Sequence, residues 1–172
     1  MSALGKWVIP PPRKTLVVGV ADMVASNDPG SELVTHSLGS CLGITAYDPV
    51  NKVGGLLHLM LPDGGIDSAK AEKSPFMFVT TGVPRLFHAI YNLGAERRRV
   101  VIKAAGGSQL LDEKGIFNIG QRNYQALTEI LSRNGHSIQA WDIGGNSSRT
   151  MRFDLETGRV TIKCPGTNLY YL

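Results

Sequence analysis

The chain has 172 residues, of which 42% are hydrophobic and 19% charged, with a formal net charge of +4. That length suits one domain able to bury roughly 70% of its unfolded surface, and the composition excludes disordered and fibrous classes. No apolar run approaches the roughly 20 residues of a membrane span, and the N-terminal MSALGKWVIPPPRK has no signal-peptide core.

Residues 1–14 read as a proline-stiffened arm, 15–163 as a single domain and 164–172 as a C-terminal tail. Thr15–Val20 (TLVVGV) predicts a strand, and Met23–Gly30 a turn-rich connector. Ser40–Tyr47 and Val53–Leu61 predict two strands around a type I turn at Asp48-Pro49-Val50-Asn51. Pro62–Glu72 reads as a polar, mobile loop that borders the site. Val79, Val83, Leu86, Phe87, Ile90 and Leu93 recur at helical spacing. Pro84 inside that run predicts a kink or a start near Thr81. Arg99–Ala105 predicts a buried strand, Gly120–Asn134 a helix with Tyr124, Leu127, Ile130 and Leu131 on its core face, and Ser137–Ile143 a strand. Arg149–Leu155 and Arg159–Lys163 predict a hairpin. Strands outnumber helices and several are hairpin-linked, which favours an α+β fold: a layered domain with a mixed sheet.

Two cysteines, Cys41 and Cys164, without a C-x-x-C pair, read as free thiols in a reducing cytoplasm. Four scattered histidines offer no metal-ligand spacing, so no metal or cofactor is expected. The basic cluster Arg97-Arg98-Arg99 lacks interleaved aromatics, so no nucleic acid is expected; an acidic protein partner accounts for the charge equally well.

Cys41 lies among small residues in THSLGSCLG. Such a cysteine is either a small core hydrophobe or a nucleophile. In a regular hairpin with Asp48 opposite Asn51, Cys41 faces His58, and opposed residues share a face with Cβ atoms about 4.5–5.5 Å apart. A one-residue bulge would send His58 to the other face. His58 is the one ionisable side chain in an apolar strand, and burying it requires a hydrogen bond. It is either a core histidine bonded to a backbone carbonyl or the partner of Cys41. His36, an odd number of residues from Cys41, points away on an extended chain, whereas Thr35 shares its parity. A neighbouring imidazole can take the thiol proton, which predicts a Cys41 more acidic than a model thiol. Gly39 and Gly43 leave room around Cys41, and the Ser40 and Cys41 N–H groups are candidate oxyanion donors. Cys164 has no histidine close in sequence and reads as structural.

These residues resemble the CheD family of chemoreceptor glutamine deamidases. The resemblance rests on Thr35 with Leu38-Gly39-Ser40-Cys41, Tyr47-Asp48-Pro49, Gly54-Gly55 and His58-x-Met60-Leu61-Pro62. It continues through Lys103, Gly106-Gly107, Asn118-Ile119-Gly120-x-Arg122-Asn123, Asp142-x-Gly144-Gly145-Asn146 and Arg152-Phe153-Asp154-x-x-Thr157-Gly158. It implies a layered α/β sandwich with mixed, largely antiparallel sheets, similar to the catalytic domain of cytotoxic necrotizing factor. It also implies Cys41 as nucleophile, His58 as base and Thr35 as third member. The implied reaction is hydrolysis of receptor glutamine side chains, in the cytoplasm, on chemoreceptor helices, with a CheC-type phosphatase as a further partner. Hydrolysis of glutamyl methyl esters is a related reaction through the same thioester. The alternative is a non-catalytic regulator that binds a CheC-type phosphatase. Two departures from the family pattern are Phe76-Met77-Phe78-Val79-Thr80-Thr81, without an early acidic residue, and Gly-Gly-Ser-Gln at 106–109.

Overall fold

The computed structural model describes residues 12–110 and 117–172. The strands are β1 (Lys14–Val18), β2 (Asp22–Ser26), β3 (Ser31–Leu38), β4 (Leu42–Asp48), β5 (Val53–Leu59), β6 (Val101–Gly106), β7 (Ala140–Ile143), β8 (Arg149–Asp154), β9 (Val160–Lys163) and β10 (Tyr170–Tyr171). The helices are α1 (Ser68–Lys73), α2 (Val79–Asn92) and α3 (Ile119–Arg133). The strands form two five-stranded sheets, ordered β1-β3-β8-β9-β10 and β2-β5-β4-β6-β7. Pairs β1–β3 and β6–β7 are parallel and the others antiparallel, so the sheets are mixed and the class is α+β.

Two apolar layers hold the sheets and helices together. Leu33, Leu38, Tyr47, Leu56, Met151 and Phe153 fill the space between the sheets. Ile44, Leu57, Leu59, Ile102, Leu86 and Leu127 fill the space between the second sheet and helices α2 and α3. The second sheet is therefore covered on both faces. That is why every residue of β4 and β5 is buried and why both read as continuous apolar runs.

Several predicted boundaries move. The stretch read as a connector contains β2, an edge strand that pairs antiparallel with β5. The arm expected over 1–14 falls mostly outside the described residues, and Tyr170–Tyr171 in the expected tail pairs with β9. Pro62–Glu72 is not an open loop: it folds into a single 3-10 turn at Gly64–Ile66 followed by α1. Asp63 accepts from Gly65 N–H at 2.8 Å and Asp67 from Lys70 N–H at 2.9 Å, so its aspartates serve as helix caps. Helix α2 runs through Pro84 without a break. The bond that Pro84 cannot make would go to the carbonyl of exposed Thr80, where water can replace it.

The β4–β5 turn decides the geometry of the site. Asp48 pairs with Val53, so the loop is Pro49–Lys52, two residues longer than the predicted register allows. Asp48 is fully buried and specifies that loop: its carboxylate accepts from Val50 N–H at 3.0 Å and Asn51 N–H at 3.3 Å. It also accepts from Glu96 N–H at 2.8 Å and from the Arg99 guanidinium at 2.9 and 2.7 Å. The Arg99 bonds hold the Asp48 carboxyl well below the usual carboxylate range, against the opposing effect of burial. The arginine cluster is thus structural in part: Arg97 donates to the Asn134 carbonyl and Arg99 holds the turn. Asp48→Ala removes the acceptor of the Val50, Asn51, Glu96 and Arg99 bonds and frees the loop, while the part-exposed Arg99 is left to solvent. It should lower unfolding free energy by about 1–3 kcal/mol in urea titrations.

Candidate active site

Thr35 and His58 come from different sheets and meet in the layer between them. Thr35 Oγ1 lies 2.8 Å from the Val18 carbonyl oxygen and 2.8 Å from His58 Nδ1, and both side chains are fully buried. A threonine hydroxyl has one proton to give. That proton goes to the Val18 carbonyl, so Nδ1 must carry the ring hydrogen and donate to Thr35. This assigns the lone pair of the neutral imidazole to Nε2. Nε2 is buried and has no hydrogen-bond partner among the described residues. Burial pushes His58 down to about 4, so the ring is neutral at physiological pH.

The path that brings Thr35 into this layer is irregular. The β3–β8 register gains one residue on β3 between Thr35 and Leu38, and Ser37 adopts a left-handed φ of 58°. This bulge turns the chain out of the first sheet and into the second, where β4 starts. The parity expected of an extended chain therefore does not apply between Thr35 and Cys41. His36 is exposed and lies beside Thr150, at 3.4 Å, away from the Thr35–His58 pair.

The residue opposite His58 is Gly43, not Cys41. The longer loop shifts the register by two, and a shift of two preserves the face. Cys41 thus stays on the His58 side as its diagonal neighbour, with Cα atoms roughly 7–8 Å apart in such pairs. It packs against the inter-sheet layer that contains His58, and it is half-buried. Burial pushes its thiol above the ordinary value, with a smaller opposing effect from its own backbone N–H. The expected acidic thiol is therefore absent from the resting site, which holds a neutral thiol and a neutral imidazole.

The loop carrying Cys41 is pinned from one side. The Gly39 carbonyl accepts from Ser108 N–H at 2.8 Å, the Ser40 carbonyl from Asn123 Nδ2 at 3.1 Å and the Cys41 carbonyl from Gly107 N–H at 2.8 Å. Gly106, at φ 117°, lets β6 run this close, because a Cβ there would fall on the Cys41 carbonyl oxygen. Gly39 N–H is engaged with the Ser37 carbonyl at 2.9 Å. Cys41 opens onto a cavity of about 650 Å³ that is also lined by Ser40, Ser108, Leu110, Phe117 and Ile119. Leu110 and Phe117 are exposed apolar side chains at its rim. The Pro62–Glu72 segment does not line it.

The comparison with known sequences decides the family. A model described as CheD chemotactic sensory transduction matches residues 60–164. The chain belongs to the CheD family. It is 44% identical over 151 residues to the probable chemoreceptor glutamine deamidase CheD 1 of Syntrophus aciditrophicus, covering 88% of this chain and 94% of that one. It is 43% identical to the corresponding protein of Solibacter usitatus, covering 86% and 88%. A third relative, from Desulforamulus reducens, is 47% identical over 155 residues, covering 88% and 92%. No helix among the described residues of this CheD-family chain is long and apolar enough to cross a membrane.

Reading the residues one at a time does not give Ser108 and Asn123 a place at the site. The available signal was position: Asn123 falls on the apolar stripe of α3 with Gly120, Leu127 and Leu131, where a polar side chain needs a reason. Cys164 lies 3.6 Å from the Tyr170 hydroxyl and has no histidine partner.

The buried neutral His58 has a stability signature. Its folded pKa is lowered, so between about 4 and the ordinary imidazole value the unfolded chain binds the extra proton. Stability is then complete above pH 7 and falls as the pH drops toward 4. The expected loss between pH 7 and 4.5 is roughly 2–3 kcal/mol from this group. Urea titrations across that range should show a shallower slope in His58→Gln than in the wild type; equal slopes would place the lost proton elsewhere.

Proposed function

We propose that this CheD-family chain is a protein-glutamine deamidase that acts on chemoreceptor helices through a thioester on Cys41. The Cys41 sulfur attacks the side-chain carbonyl carbon of the glutamine, and His58 Nε2 takes the thiol proton. The tetrahedral intermediate then collapses: the carbon–nitrogen bond breaks, and the imidazolium gives that proton to the leaving nitrogen, which departs as ammonia. Water attacks the thioester with His58 again as base, giving glutamate and the free thiol. Thr35 accepts the Nδ1 hydrogen throughout and stabilises the imidazolium as it forms. The Ser40 and Cys41 N–H groups are the donors for the oxyanion, since the Gly39 N–H is already engaged.

The observation that carries this reading is the tautomer of His58. A core histidine would satisfy both ring nitrogens. Here Thr35 fixes Nδ1 as the donor and leaves a buried Nε2 with a free lone pair and no partner among the described residues, on the same face as the thiol. The resting neutral pair favours proton transfer concerted with attack over a standing thiolate. The names of the relatives supply the substrate class.

The test is deamidation of a co-expressed receptor fragment, read by the mass change of Gln-to-Glu conversion and by ammonia release. Cys41→Ala should lose about four orders of magnitude or more in rate, while Cys164→Ser should remain active. Wild-type-like activity in Cys41→Ala would overturn the mechanism.

A further inference from the structure

Three buried side-chain polar atoms among the described residues lack a hydrogen-bond partner: His58 Nε2, Ser108 Oγ and Asn123 Oδ1. All three residues border the Cys41 loop or the strand after His58, and the proposed mechanism uses only the first. Asn123 is fully buried on α3, and its amide nitrogen spends both hydrogens on backbone carbonyls. One is the Ser40 carbonyl at 3.1 Å, immediately before Cys41. The other is the Met60 carbonyl at 2.9 Å, two residues after His58. Because both partners are acceptors, the amide must present nitrogen to them, and its oxygen is left facing no donor. A side chain kept only for packing would be apolar here, like Leu127 one turn along the helix. The fold instead keeps a polar group whose oxygen stays unsatisfied.

We infer that Asn123 is a positioning residue that clamps the nucleophile loop to the strand carrying the base, setting the distance between the Cys41 sulfur and His58 Nε2. The inference rests on the Cys41–His58 reading above. The two carbonyls belong to different segments: one precedes β4 and the other follows β5. They lie at the end of the hairpin far from the Asp48 turn. No ladder bond joins Cys41 to its register partner Met60, because β4 begins at Leu42 and β5 ends at Leu59. The Asn123 carboxamide bridges the two segments where the ladder stops. Reacting groups must be held within a fraction of an ångström, and a misplacement of about 1 Å can cost on the order of a hundredfold in rate.

The experiment compares Asn123→Ala and the isosteric Asn123→Asp, which keeps the volume but cannot donate twice, with Leu127→Ala as a control for lost packing on the same face. Receptor-fragment deamidation is normalised to the Cys41 that iodoacetamide can titrate. Both Asn123 variants should lose about tenfold or more in kcat with KM within about twofold, while Leu127→Ala keeps kcat per titratable site. The second measurement is a cycle on the iodoacetamide alkylation rate with His58→Gln. Asn123→Ala should slow alkylation when His58 is present and change little when it is absent. An equal fractional effect in both backgrounds, or an unchanged kcat per site, would overturn the inference. A wild-type protein that alkylates but does not deamidate the receptor would defeat the proposed substrate, and the alkylation cycle would still decide Asn123.

Discussion

The Thr35 hydroxyl joins the two sheets through the buried ring of His58. It gives its proton to Val18 in its own sheet and receives the Nδ1 hydrogen of His58 from the facing sheet. Stacked sheets pack side chains into a layer about 10 Å thick from which water is excluded. An imidazole in that layer must be neutral and must be hydrogen-bonded. One bond from a short hydroxyl satisfies the first nitrogen, and the second has no partner among the described residues. Burial thus lowers the imidazole to about 4 and leaves Nε2 with an unshared lone pair.

The thiol is placed by a different device. Its loop is held by carbonyl bonds to Gly107, Ser108 and Asn123, all from the β6–α3 region. The second sheet and α3 therefore fix Cys41, while the contact between the sheets fixes His58. Cys41 lines an open cavity and His58 does not, so the thiol is reached from that cavity while the imidazole stays buried. A thiol raised by burial and an imidazole lowered by burial remain uncharged together.

Much of this was legible in residue types. Continuous apolar runs marked β4, β5 and β6, because strands covered on both faces need no polar alternation. Helical spacing marked α2 and α3. His58 stood out as the one ionisable group in an apolar strand, and Cys41 as a thiol among small residues. Elements with weak patterns were missed for a physical reason. Strand β2 is a half-buried edge strand of five residues whose short apolar run Met23-Val24-Ala25 packs toward both layers, so it shows no period-two alternation. The segment after Pro62 hides two helix caps, Asp63 and Asp67, in what reads as a solvated loop.

Sequence alone marked Cys41 and His58 as the candidate pair and placed them on one face of a regular hairpin, a placement that survives any even shift of register. It could not determine how far apart they lie. That depends on the loop length at Asp48, which is set by the Arg99 side chain and the Glu96 backbone, 51 and 48 residues away along the chain. Nor could it place Thr35 against His58: they belong to different sheets, and their bond exists only because the sheets stack. Local pattern records which face a side chain takes, whereas contacts between layers depend on how distant segments pack. In this chain the cysteine was readable locally, and the state of its histidine was decided only by tertiary structure.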